Sequence, residues 1–476
     1  MSLTSPTFFA FLAATIVAYH LSASVSYRRL VLGAANAVFI GSYLSNVTEV
    51  LPLLAFLLLG YIAVMLVHAR RSGRVLGLGI AAVLVSFIFL KRFSFFEPLG
   101  SLPFPYLLIG LSYILFRILH LIIDVRSGDL EQPVGPLAFF RYTCNFLTFV
   151  SGPIQRYQEF SASDGVEQAP LDANRVYAAF SRMATGYVKF VIIAATAEYA
   201  FTYFSQQLDH AAGPSKLVVL YAAASSTYMI HLYFNFAGYM DIVIGAGHLL
   251  GQALPENFDK PFLSRSFLEF WQRWHMTLSQ WFKFYLFNPL LMALMSLFPA
   301  PALTAYLGVV AFFVTFMVMG VWHGTTAVFV VYGLLMGVGA SVNKIWQIGC
   351  TSKLGKKGYR ALTEKVWYIY GARGVTIAFF VLAFTCLWIP GLPQLLSLVQ
   401  RLGVVGLGGG FAMIALLFAI GALVTDGVVK RIGGLSVAGL GEGLFVRNAV
   451  LAGKLMSIVA IASLFHKAPD FVYKAF

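Results

Sequence analysis

Residues 255–290 read PENFDKPFLSRSFLEFWQRWHMTLSQWFKFYLFNPL, and after one apolar run residues 317–324 read MVMGVWHG. These stretches carry His275 and His323, each preceded by a tryptophan (Trp274, Trp322) and set 48 residues apart. The segments on either side are apolar and of helical length. Two histidines kept among spans with almost no charge ask for a functional explanation, because ionisable side chains at membrane depth are costly.

Outward from this stretch, composition fixes the class. The 476-residue chain is 59% hydrophobic and 11% charged, with a mean hydropathy of +0.81. Soluble domains carry about 25% charged residues. At ~20 residues per span the apolar runs predict an all-α polytopic membrane protein of roughly ten to thirteen helices, with enough chain for one intramembrane domain. GxxxG patterns are few, so packing is expected to use aromatic and β-branched side chains as well as small ones. The net charge of +14 is spread over short loops. That reads as positive-inside charge and phospholipid contact, not a nucleic-acid surface. Arg28 and Arg29 follow the first span, residues 46–49 carry no Lys or Arg, and Arg70, Arg71 and Arg74 follow the third. This places the N-terminus outside and the basic loops in the cytoplasm. Residues 1–6 lack the basic region of a cleavable signal, so the first apolar run reads as a retained anchor. Cys144, Cys350 and Cys386 show neither CxxC nor Cys–His spacing, so no disulfide framework and no metal site follow.

Four apolar stretches fill residues 6–90. A longer helix follows Pro105, with Arg117, His120 and Asp124 at i, i+3 and i+4 spacing on one face. They are either a satisfied polar cluster at a helix end or the wall of a polar tunnel. Residues 144–150 are too short to span and end in Ser151-Gly152-Pro153, which predicts a re-entrant or buried segment with Arg156 and Tyr157 at its tip. Residues 161–174, with Asp164, Glu167 and Asp172, read as a surface loop. Asn235 and Asp241 are expected near a break at membrane level, where Asp241 needs a partner.

In the central stretch, Ser266 and Glu269 form an S-x-x-E pattern that starts a helix near Phe267. At 100° per residue Trp271, Trp274, Leu278, Trp281, Phe282 and Tyr285 share one arc, with Gln272, Arg273, Met276, Gln280 and Lys283 opposite. That describes an interfacial helix, its tryptophans anchoring and His275 turned toward the protein. His323 closes a nearly unbroken apolar run between Gly320 and Gly324, small neighbours that leave room for a ligand. Desolvation there favours a neutral imidazole, the form able to take a proton from a hydroxyl.

Residues 255–258 (PENF), 261–266 (PFLSRS), 269–279 (EFWQRWHMTLS), 319–324 (MGVWHG) and 332–334 (YGL) resemble the membrane-bound O-acyltransferase (MBOAT) family. Within it the resemblance is to the bacterial branch of alginate O-acetyltransferases and teichoic-acid D-alanyl transferases. Residues 235–241 and 151–157 resemble the same branch less closely. The resemblance runs from about residue 103 to 343; residues 1–100 are then peripheral spans, and 344–476 are C-terminal spans and a tail of the same single domain.

The resemblance implies helices ringing a central tunnel. Through it an acyl group passes from a cytoplasmic thioester (acetyl-CoA or an acyl carrier protein) to an acceptor outside. It implies His323 as the essential histidine and His275 as its companion. Trp274, Trp322, Asn235, Asp241, Arg156, Ser279 and Asn257 would line the tunnel or hold substrate. The ending FVYKAF (residues 471–476) resembles the branch's F-x-Y-x-x-F tail, so Tyr473 is either an acyl relay or an aromatic anchor. The expected function is transfer of a short acyl group, acetyl first, for O-acylation of an exported polysaccharide. An esterase-like extracytoplasmic acetyltransferase is the implied partner and the bacterial inner membrane the site. D-alanyl transfer from a carrier protein is the alternative within the family. A proton-coupled transporter or flippase using His120, Asp124, His275 and His323 is the alternative outside it, and it predicts inverted repeats that the sequence does not display.

Overall fold

The computed structural model describes residues 1, 5–94, 102, 104–107, 109–166, 171–434 and 444–464. Among these residues the secondary structure is helical and no strand forms. Among the described residues eight helices are long and apolar enough to cross a membrane, by length and composition. The chain is therefore an all-α polytopic membrane protein. It divides into two compact units. One comprises Met1–Tyr187 and Gly238–Glu256, the other Val188–Ala237 and Asn257–Pro469.

The first unit opens with α1 (Pro6–His20), α2 (Val25–Gly41), α3 (Leu51–Arg70) and α4 (Gly73–Lys91), matching the four apolar stretches. Next, α5 (Leu111–Ser127) buries Arg117, His120 and Asp124. The Arg117 guanidinium donates to the carbonyls of Tyr142 (3.2 Å), Thr143 (2.7 Å) and Thr148 (2.8 Å) and to Thr148 Oγ1 (2.6 Å). His120 Nε2 accepts the Tyr157 N–H at 2.9 Å. A backbone amide can only donate, so Nδ1 holds the ring hydrogen and gives it to Asp124 Oδ2, 3.1 Å away. The same carboxylate accepts from Gln158 Nε2 at 2.8 Å. These groups satisfy backbone freed where α6 (Pro136–Thr143) ends and α7 (Tyr157–Ser163) begins. Of the two readings the sequence allows, this is the polar cluster.

Between α6 and α7 the chain is buried from Cys144 to Gln155 except at Val150, as the short apolar run predicts. Gly152 is required there, because a Cβ would lie 2.3 Å from Thr148 Cα. The predicted surface loop is only partly one. Asp164 is buried, and Arg141 (2.7 Å) and Arg29 (3.3 Å) converge on its carboxylate. Glu167 lies outside the described residues. Asp172 is exposed and caps α8 (Ala173–Tyr187) by accepting the Arg175 N–H at 2.7 Å.

No break occurs at Asn235 to Asp241, contrary to expectation: α10 (Pro214–Leu249) runs through them for 36 residues. The stretch has no proline, and Gly238 serves close packing instead. A Cβ on Gly186 of α8 would stand 2.6 Å from the Gly238 carbonyl oxygen. Asp241 has the partner its depth demands, Arg182 at 3.2 Å, whose guanidinium also grips Glu256 at 2.6 Å.

The second unit continues with α9 (Ala195–Leu208), the N-terminal two thirds of α10, α11 (Phe267–Arg273), α12 (Met276–Phe282) and α13 (Asn288–Leu297). Then come α14 (Thr304–Trp322), α15 (Val328–Thr363), α16 (Val366–Ala383), α17 (Thr385–Trp388), α18 (Leu392–Gly434) and α19 (Leu444–Leu464). Helices α14 and α15 form an antiparallel hairpin whose backbones nearly touch. A Cβ on Gly320 would lie 2.2 Å from Gly333 Cα, and one on Gly337 would lie 2.9 Å from the Phe313 carbonyl. Small residues set such close approaches in membranes, where burial of apolar surface drives nothing.

The single interfacial helix expected after Phe267 is two helices. Ser266 Oγ caps α11 at the Glu269 N–H (3.2 Å) as predicted, although the Glu269 carboxylate returns to the Arg265 N–H (2.8 Å) and not to that of Ser266. The helix then stops at Trp274 and His275. Residues 257–259 take over its backbone: Asp259 N–H donates to the Arg273 carbonyl (2.9 Å), and Met276 N–H to the Asn257 carbonyl (2.9 Å). After α12 a π turn spans Lys283–Phe287. Pro289 offers no N–H to the Tyr285 carbonyl and its ring crowds it, so the helix widens there. The aromatic arc nonetheless points inward, with Trp271, Trp274, Leu278 and Phe282 buried and Gln272, Gln280 and Lys283 exposed.

Candidate active site

Asn257 organises the kink. Its Oδ1 accepts from the Thr277 N–H at 3.1 Å and from Thr277 Oγ1 at 2.9 Å, and stands 3.3 Å from His275 Nδ1. A backbone N–H identifies that atom as the oxygen, so His275 must donate from Nδ1 and leave its lone pair on Nε2. The ring is wholly buried and edge-on to Phe236 with centroids 4.9 Å apart. Burial and the neighbouring His323 hold its pKa well below 6.5, so it is neutral at physiological pH. Its backbone is left-handed, φ 44° and ψ 53°. Histidine visits that region more readily than most residues, but the conformation still costs about 1–3 kcal/mol and persists only where surroundings over-determine it. Asn257 and the stacked rings of Trp274, Phe270 and Phe380 supply that constraint.

His323 follows the last turn of α14, its N–H bonded to the Gly320 carbonyl at 3.2 Å. It is buried and edge-on to Trp322 (4.9 Å) and Tyr332 (5.6 Å). Ring contacts continue from Tyr332 to Phe384 (6.2 Å) and from Phe384 to Trp274 (5.5 Å), joining the two Trp–His pairs. The flanking glycines do not leave room for a ligand, as the sequence suggested. Gly320 meets Gly333, and a Cβ on Gly324 would strike the Phe329 ring at 2.0 Å. They bring α15 close, and with it Tyr332.

A cavity of about 490 Å³ adjoins the kink, lined by Trp271, Met276, Ser279, Thr315 and Met319 among others. Neither histidine lines it. Ser279 turns its hydroxyl to the Trp274 carbonyl at 3.3 Å. Asn235 is fully buried on α10. The second unit thus gathers His275, His323, Trp274, Trp322, Asn257, Asn235 and Ser279. Arg156 and Asp241 belong to the first unit, where Arg156 heads α7 and Asp241 pairs with Arg182. Tyr473 lies outside the described residues. Sequence reading passed over Thr277, Phe236, Tyr332 and Phe384 as site residues. The YGL motif at 332–334 was the available sign of Tyr332; the rest become neighbours only through folding.

The arrangement defines a class: a polytopic helical membrane protein with two buried, ring-enclosed histidines. Comparison with known proteins agrees. The family model described as MBOAT, membrane-bound O-acyltransferase family, matches residues 43–369, and the chain belongs to that family. The teichoic acid D-alanyltransferase of Streptococcus thermophilus is 33% identical over 279 residues, 57% of this chain and 65% of that protein. That of Bacillus subtilis is 31% identical over 284 residues, 58% of this chain and 67% of that protein. The probable alginate O-acetylase AlgI of Pseudomonas fluorescens is 30% identical over 236 residues, 50% of this chain and 44% of that protein. The match therefore spans less than two thirds of the first relative and less than half of the third. The protein is a multi-pass membrane protein, and these relatives place it in the bacterial cell membrane.

Proposed function

We propose that the protein moves a short acyl group, acetyl as the first choice, from a cytoplasmic thioester to a hydroxyl of an exported or cell-surface polysaccharide. The observation that carries this reading is the pair His275 and His323, buried in one unit and joined by ring contacts from His323 through Tyr332 and Phe384 to Trp274, with the proton on His275 assigned to Nδ1 by Asn257. In this reading His323 takes the proton of the acceptor hydroxyl as its oxygen attacks the thioester carbonyl. The C–S bond breaks, the thiolate leaves and takes up a proton, and an ester remains. His275, with Nε2 as acceptor, orients the hydroxyl. The aromatic enclosure keeps water from competing for the thioester. The donor is acetyl-CoA or an acyl carrier protein. An esterase-like extracytoplasmic transferase completes delivery, and Tyr473 is the candidate covalent relay.

D-alanyl transfer from a carrier protein is the second reading. It is favoured by the greater share of this chain covered by the two teichoic acid D-alanyltransferases, 57% and 58% against 50% for AlgI. The transporter reading loses support from His120, whose two ring nitrogens are committed to Tyr157 and Asp124.

The test is the acyl content of the surface polymer in cells expressing wild type, His323→Ala or His275→Ala at matched protein levels. Loss of acylation is expected in His323→Ala, and mass spectrometry of the released group separates acetyl from D-alanyl. Unchanged acylation in both variants overturns the proposal. Full transfer by Tyr473→Phe removes the relay while leaving the acyltransferase reading intact.

A further inference from the structure

A second cavity, about 630 Å³, lies between α15 and α16 and is also lined by Phe267 and by Phe411 of α18. Its lining changes character along its length. At one end stand Trp346, Tyr359, Trp367 and Tyr368, with Trp346 Nε1 donating to Tyr368 Oη at 3.3 Å. Phe379 and Phe380 line the other end, some 11 residues along α16 from Tyr368, or about 16 Å at 1.5 Å per residue. Beside the Trp/Tyr end, α15 turns at Gly355 (φ 69°). Around that turn Lys353, Lys356, Lys357, Arg360 and Lys365 are exposed. Arg360 pairs with Glu364. Among the described residues Lys353, Lys356, Lys357 and Lys365 have no ion-pair partner.

We infer that this cavity and the lysines around Gly355 form a binding site for one anionic phospholipid. An acyl chain fills the Phe/Val-lined slot, the glycerol backbone lies among the tryptophans and tyrosines, and the phosphate faces the lysines. The order of layers carries the argument. Apolar slot, amphipathic aromatic rim and uncompensated cations succeed one another as the parts of a phospholipid do. An acidic soluble protein would complement the lysines, but it has no use for an apolar slot running three turns into the helix pair.

Purified full-length protein in neutral detergent, titrated with phosphatidylglycerol or phosphatidylcholine and read by native mass spectrometry, tests this. Phosphatidylglycerol should be retained preferentially, and excess inorganic phosphate should not displace it. The combined K353Q, K356Q and K357Q variant, altered only at exposed side chains, should weaken phosphatidylglycerol about fivefold per lysine and leave phosphatidylcholine unchanged. Ala372→Trp, which fills the slot, should reduce retention of both lipids. Preference that persists in the triple variant, or retention that survives Ala372→Trp with an unchanged melting midpoint, overturns the inference. So does triple-variant-sensitive binding of polyglutamate with no lipid preference, which would make the surface a protein dock.

Discussion

Asn257 Oδ1 faces His275 Nδ1 at 3.3 Å while accepting two hydrogen bonds from Thr277, so one side chain sets both the kink and the tautomer of the buried histidine. Asn257→Ala removes that acceptor and strands the Thr277 donors, each at a cost of about 1–3 kcal/mol. Acyl transfer should fall about tenfold or more, since 1.4 kcal/mol is a factor of ten, with His323 unaltered. Asn257→Asp should behave differently. A carboxylate beside Nδ1 favours the imidazolium, so the acid limb of the pH–rate profile should move to higher pH. An acid limb that stays where it is in Asn257→Asp would separate Asn257 from His275.

His275 also predicts a pH dependence of stability. Its folded-state pKa is depressed by burial and by His323, whereas the unfolded chain titrates near 6.5. Below about pH 6.5 the unfolded state therefore binds the proton first. The contribution of neutral His275 is complete above that pH and is lost as the pH falls toward the folded value. Melting midpoints in detergent between pH 7.5 and 5 should drop more steeply for wild type than for His275→Gln.

The α14–α15 hairpin gives a steric contrast within one helix. Gly320→Ala drives a Cβ into Gly333 and should lower stability by about 1–3 kcal/mol as an overpacked contact. Gly308→Ala, with nothing within 4 Å of the added carbon, should be neutral or stabilising by about 0.5–1 kcal/mol. Thermal midpoints of the two variants decide it.

Asp164 is buried between Arg141 and Arg29. Asp164→Ala leaves the Arg141 charge without its closest partner and should cost about 3–5 kcal/mol, while Arg141→Met with Asp164→Leu should recover much of that. Arg182→Ala, which leaves Asp241 and Glu256 (side chains 15% and 57% exposed) without it, should cost less. Denaturation in detergent would rank them.

His120 separates structural from catalytic histidines. His120→Ala should reduce protein yield and melting midpoint, because the Tyr157 N–H loses its acceptor and Asp124 one of its donors. The acylation rate per folded molecule should stay near that of wild type. A selective loss of rate would return His120 to the chemistry.

The sequence by itself determined the membrane class, the four opening helices, the short buried run at 144–150, the cap at Ser266 and the two Trp–His pairs. These follow from local properties: runs of apolar residues, breakers, and the scarcity of ionisable groups at depth. Only the tertiary structure decided where the helices stop and whom the polar groups serve. The period of the aromatic arc is unbroken through Trp274 and His275. The helix breaks there because Asn257 and Asp259, distant in sequence, take over its backbone hydrogen bonds. Gly320 and Gly324 read as space for a ligand and became contacts with Gly333 and Phe329; Asp164 read as a surface charge and was buried by two arginines. Such outcomes depend on partners supplied by other segments, and no local pattern encodes a partner.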